Sequence, residues 1–111
     1  LSKQEAFAEK FRAAMTRREP AIRDYFDIDY AVANGVIDPH DASWIRMVRQ
    51  KIQVPGNEAV DVSGQRLRAL RDQLEPLLKP VLRIREFQPF DLDRAFTIVA
   101  DVAAKLEASQ A

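Results

Sequence analysis

Pro20-Ala21-Ile22-Arg23-Asp24-Tyr25-Phe26-Asp27-Ile28-Asp29-Tyr30-Ala31-Val32-Ala33-Asn34-Gly35 is the segment on which the fold turns. Pro20 suits a first helical turn and Asn34-Gly35 a C-terminal stop. Between them Ile22, Tyr25, Phe26, Ile28, Val32 and Ala33 make an apolar surface wide enough to meet more than one neighbour. The segment therefore predicts a central helix. On its N-terminal side Ser2 can cap a helix running to about Arg17, in which Phe7, Phe11, Ala14 and Met15 form one apolar stripe bordered by Lys10.

On the other side, Asp38-Pro39 announces a third helix reaching about Ile52, with Trp44, Ile45, Val48 and Ile52 facing inward and Val54-Pro55-Gly56-Asn57 breaking it. Residues 53–63 read as a loop, and Ser63 caps a fourth helix carrying Leu67, Leu70, Leu74, Leu77 and Leu78. Within that run Pro76 either kinks the helix or ends it. From Pro80 to Pro89 the pattern is irregular, with Val81, Leu82, Ile84 and Phe87 expected to tuck against the bundle. Asp91 caps a last helix built on Ala95, Phe96, Val99, Val102, Ala103 and Leu106. The expected fold is all-α, a compact bundle of about five helices forming one domain over residues 1–111.

Composition narrows the chemistry. Seventeen Lys and Arg balance seventeen Asp and Glu, so no global charge draws the chain to nucleic acid or an anionic membrane. The absence of cysteine removes disulfides and thiolate chemistry, and a single histidine leaves no His-rich metal site. No apolar run approaches the roughly 18 residues needed to cross a bilayer, and the charged N-terminus is unlike a signal segment. These features predict a cytoplasmic protein that does not engage the membrane. No P-loop, dinucleotide fingerprint or nucleophile elbow is present.

The densest polar cluster lies in the central helix. Asp24 and Asp27 are neighbours at i, i+3, whereas Asp29 falls among Tyr25, Phe26, Val32 and Ala33 and must find a cation or donors. A structural ion pair to another element is the plainer account of Asp29. Lys10 has two readings: its ammonium snorkels into water, or, if the first two helices are antiparallel, it approaches Asp24 as a phosphate-binding cation oriented by a carboxylate. Arg12, Arg17, Arg18 and Arg23 concentrate positive charge near the first interhelical turn, either as solvated surface or as contacts to phosphates. His40 reads as an exposed first-turn residue and Trp44 as core.

Ala8-Glu9-Lys10, then Arg17, then Arg23-Asp24-Tyr25-Phe26-Asp27-Ile28 resemble the second half of AbiEii/AbiGii-type nucleotidyltransferases, where an Ala-Glu-Lys helix precedes an Arg-Asp-x-x-Asp-hydrophobic helix. Lys51-Ile52, Pro55-Gly56-Asn57, Pro80-Val81-Leu82 and Phe87-x-x-Phe90-Asp91 extend the likeness more loosely. The resemblance implies the C-terminal helical part of a nucleotidyltransferase-fold protein, whose N-terminal catalytic half would supply a Gly-Ser turn and an Asp-x-Asp pair. It implies Lys10 as the phosphate-contacting lysine, Asp24 as the later acidic motif and Asp27 as a weaker match, with Arg17 and Arg23 beside Lys10 on nucleotide or RNA phosphates.

No metal ligand is expected in this stretch, while Mg2+ and a nucleoside triphosphate are expected for the parent protein. By the same resemblance the parent is a type IV toxin of a bacterial toxin–antitoxin system that moves a nucleoside monophosphate to tRNA or another acceptor. A cognate antitoxin and the N-terminal half are then the partners, and this stretch alone is inactive. The competing expectation is a stand-alone helical interaction module without catalysis. A helical RNA-binding domain is a third, disfavoured by the neutral charge.

Overall fold

The structure is a computed structural model that describes residues 2–108. Those residues form helices and connections, with no strand among them: α1 (Lys3–Thr16), α2 (Ile22–Ala33), α3 (Ala42–Ile52), α4 (Gly64–Arg71), a π turn (Leu74–Leu78), a 3-10 turn (Lys79–Val81), α5 (Ile84–Phe87) and α6 (Leu92–Ala108). The helical bundle is as expected, but its second half is more broken than the leucine pattern suggests.

The caps explain the boundaries. Ser2 accepts from the Glu5 amide at 3.0 Å and starts α1. At the end of α2, Gly35 takes φ 69°, the Val36 amide reaches the Ala31 carbonyl at 2.9 Å and the Gly35 amide the Val32 carbonyl at 3.2 Å, which is a Schellman stop. Its start differs from the expectation at Pro20. Ala21 caps without a side chain, and the work falls to Gln73, which accepts from the Ile22 amide and donates to the Pro20 carbonyl, both at 2.8 Å. Asp38 likewise does not open α3. It accepts from the His40 amide in a local turn, while Asp41 is the cap, accepting from the Ser43 amide at 2.9 Å.

α2 is central, as its sequence predicts. Tyr25, Ile28 and Ala31 are fully buried, whereas Phe26 and Val32 are only half-buried and Ala33 is exposed. Tyr25 stacks on Phe96 of α6 with ring centroids 6.1 Å apart. α1 packs on α3 through Phe11 and Trp44, edge to face at 4.8 Å, and the Trp44 indole donates to the Gln4 carbonyl at 3.0 Å. Asn57, in the loop after α3, donates to the Lys51, Ile52 and Val54 carbonyls at 3.0 Å and accepts from Arg12 at 3.1 Å. One amide thus plugs the C-terminus of α3 and ties it to α1.

Pro76 lacks the N–H that an α-helix needs and its ring crowds the carbonyl four residues back. The chain answers by widening to a π turn, in which the Lys79 amide reaches the Leu74 carbonyl. That change of register buries Leu78 and leaves Leu77 58% exposed. The following residues correct the expectation of a tucked connection: Val81 and Ile84 are exposed, and only Leu82 and Phe87 pack partly against the core.

Arg66 is the buried residue that the sequence hides. Its guanidinium donates twice to the Ala14 carbonyl, at 3.1 and 2.8 Å, and once to the Arg17 carbonyl at 2.8 Å, a cation at the negative end of α1. The Tyr25 hydroxyl donates to the same Ala14 carbonyl at 2.8 Å, and burial pushes its phenol pKa upward. Arg66→Met should destabilise the fold by about 2–3 kcal/mol, since three charge-assisted hydrogen bonds are lost and the Arg17 carbonyl loses its donor, while Ala14 keeps only Tyr25. Denaturant titration checks this, and an unchanged midpoint would reject the anchoring role. A pH effect is also expected from Asp61, whose carboxyl the Ser63 hydroxyl and amide hold below its ordinary value. Its contribution is complete above about pH 4 and fades as pH falls through the lower folded value. Asp61→Asn should therefore flatten the acid limb of a melting-temperature profile.

Candidate functional site

α1 and α2 run antiparallel, as the pairings Lys10 with Asp27 and Ala14 with Tyr25 require. This brings the expected site residues together. Lys10 Nζ donates to Asp27 Oδ2 at 2.7 Å and stands 3.6 Å from Asp24 Oδ1. The lysine does approach Asp24, but its tight partner is Asp27, one helical turn further along α2. Arg23 donates to the other oxygen of Asp27 at 3.2 Å, and Arg17 lies 3.5 Å from Asp24 Oδ2. Three cations thus share two carboxylates.

Burial separates the roles of these groups. Asp24 is 7% exposed, lies in the first turn of α2 where the helix dipole favours an anion, and has one buried oxygen, Oδ2, without a hydrogen bond. Lys10 retains 30% of its side-chain surface, and Arg17 and Arg23 half or more. Asp24 is the buried background, whereas Asp27, with 25% of its side chain exposed, reaches the surface with the cations, where an anionic ligand can meet them. Among the described residues no cluster of His, Cys, Asp or Glu is arranged to hold a metal.

The cluster opens onto a groove of about 560 Å³ whose lining includes Lys10, Arg23, Asp27, Asp29, Arg85 and Arg94 together with Phe7, Phe26, Tyr30 and Phe90. Asp29 is resolved in favour of the structural ion pair. It is buried and takes a two-pronged contact from Arg94 of α6, Nε at 2.7 Å and Nη2 at 2.8 Å, and that hydrogen bonding raises the arginine's pKa further. The basic concentration divides instead of acting as one patch. Arg12 turns to Glu9 and Asn57, Arg18 is exposed, and only Arg17 and Arg23 join Lys10. His40 is exposed, its Nδ1 2.6 Å from Lys105 Nζ, and Trp44 is core.

Arg94, Arg85 and Tyr30 were given no role by the sequence, and Phe90 entered only through the looser family likeness. The misplaced charge of Asp29 signalled that a cation must come from elsewhere, but no local pattern distinguishes Arg94 from the other arginines near a helix start. The aromatic residues of the groove come from α1, from α2 and from the turn before α6, and only tertiary packing joins them, with Phe26 and Phe90 edge to face at 5.6 Å.

A family model described as nucleotidyl transferase AbiEii toxin, type IV TA system, matches residues 1–106. No curated protein and no solved structure matches the chain. No helix among the described residues is long and apolar enough to cross a membrane.

The Asp29–Arg94 contact couples α2 to α6 beneath the groove. Arg94→Leu should lower stability measurably, because it leaves a buried carboxylate without its cation, and adding Asp29→Asn should recover much of the loss. Thermal denaturation of the two single variants and the double tests the coupling, and additive effects would contradict it.

Proposed function

The chain belongs to the AbiEii nucleotidyl transferase toxin family, and from that premise we propose that it forms the helical wall of a cleft in which a nucleoside monophosphate passes from a nucleoside triphosphate to tRNA or another acceptor. The observation that carries the proposal is that Lys10 and Asp27 line one open groove, with Asp24 buried behind them 3.6 Å from the ammonium. In this role Lys10 contacts the triphosphate, with Arg17 and Arg23 beside it, and neutralises charge that develops on the transferring phosphoryl group. Asp27 holds the ammonium in place, and Asp24 fixes the polarity of the cluster from behind.

The two aspartates do not suit a Mg2+ site, because Lys10, Arg17 and Arg23 already face their oxygens. The family's Gly-Ser turn and Asp-x-Asp pair would belong to a segment outside this chain. A cognate antitoxin fits the toxin–antitoxin family, and the bacterial cytoplasm is where triphosphates and tRNA meet. The alternative, a helical interaction module without catalysis, draws on the exposed Leu77, Val81 and Ile84. It gives no account of a lysine held by an aspartate at a groove with a second, buried aspartate behind it.

Nucleotide transfer measured with labelled triphosphates, using the protein expressed from its whole natural reading frame, tests the proposal. Lys10→Ala should reduce transfer by about two orders of magnitude, Asp27→Ala should reduce it as well, and Arg18→Ala should leave it unchanged. Parental rates in the Lys10 variant would rule out the assigned role.

A further inference from the structure

Beyond its charged end, the groove has an aromatic end that phosphate binding does not use. Tyr30 is 62% exposed, and it is not isolated, because it continues an aromatic cluster with Phe26 and Phe90 along the groove. It stacks loosely on Phe26, with centroids 6.5 Å apart and planes 30° from parallel, and Phe90 also meets Phe26, edge-on. The Arg23 guanidinium lies over the Phe26 ring at 5.6 Å from its centroid. Arg85, on the same groove, is exposed.

We infer that the Tyr30 face is a platform for the base of the same nucleotide whose phosphates Lys10 is proposed to hold. The inference rests on that earlier reading and extends it to the substrate's other end. Arg23, Asp27 and Tyr30 fall on one face of α2 at spacings of four and three, and a rise of 1.5 Å per residue sets Arg23 and Tyr30 about 10 Å apart along the axis. A mononucleotide has that form, with phosphates at one end and a flat aromatic group at the other. Stacking on an exposed ring tolerates any base, and nearby guanidinium groups strengthen it. Counting the lining, Lys10, Arg23, Arg85 and Arg94 outnumber Asp27, Asp29 and Glu86 by one. The groove therefore favours an anionic aromatic ligand over a purely apolar one.

The test compares equilibrium binding of each ribonucleoside triphosphate with that of inorganic tripolyphosphate, on the protein expressed from its whole natural reading frame. At least one nucleotide should bind about tenfold more tightly than tripolyphosphate. Tyr30→Ala should erase that advantage while leaving tripolyphosphate binding within twofold, and Tyr30→Phe should keep it, because stacking uses the ring and not the hydroxyl. Lys10→Ala should weaken both ligands. Equal affinities for all ligands in the parent, or an unaltered nucleotide preference in Tyr30→Ala, would overturn the platform while the Lys10 assignment stands. A nucleotide preference that depends on Tyr30 but is indifferent to Lys10→Ala would retain the platform and defeat the phosphate reading. The inference also fails if Tyr30→Ala affects only a single-stranded oligoribonucleotide, or only concentration-dependent self-association, since the ring would then serve an acceptor strand or a second copy of the chain.

Discussion

The Ala14 carbonyl is the point through which the fold is locked. A helix leaves its last carbonyls without partners, and here one of them accepts from the Tyr25 hydroxyl and twice from Arg66. Those donors come from α2 and α4, so the end of α1 is joined to both. The remaining carbonyls nearby are also occupied: that of Met15 by the Asp61 amide at 2.8 Å, and that of Arg17 by Arg66. Because Ala14 lies one turn beyond Lys10, and Tyr25 lies between Asp24 and Asp27, this lock also fixes the register that sets the ammonium against the two carboxylates. The site inherits its geometry from a structural hydrogen bond.

The sequence made the well-packed helices legible and the strained segment illegible. α1, α3 and α6 carry regular apolar spacing and an oxygen-bearing cap, so their extents follow from local chemistry, apart from the choice between Asp38 and Asp41. α2 was visible from its apolar face and from Gly35, but its start depends on Gln73, a residue 51 positions away that no local pattern connects to Ile22. The leucines after Ser63 suggest one helix because their spacing stays helical through Leu78. Pro76 defeats that continuity, and the choice of a π turn decides that Leu78 goes in and Leu77 comes out.

At the site, type and spacing were informative wherever the partners lie on α1 and α2. Lys10 near Asp24 is a consequence of antiparallel packing, and the preference for Asp27 is a matter of one turn of helix. Asp29 announced itself by being a charge on an apolar face, which says that a partner must exist without saying where. Arg66 gave no such sign, being one arginine among three in a short helix whose burial follows from where α4 sits over the end of α1. Residues that belong to the core by contact and not by periodicity are the ones a single sequence conceals.

The pairing of Lys10 with Asp27 also bears on how a phosphate would be received in the proposed role. A free lysine side chain loses up to about 2 kcal/mol of rotamer freedom when it is fixed, and here the ordering has already occurred in the folded chain. An arriving phosphate must instead compete with Asp27 for the ammonium. That exchange does not strand the carboxylate, because Arg23 remains on its other oxygen at 3.2 Å. Asp24 lies 3.6 Å from the ammonium, too far for a short hydrogen bond yet near enough to hold the charge at the mouth of the groove. The arrangement therefore combines a preorganised cation with partners that tolerate its turning toward a ligand, which a single tight ion pair would not provide.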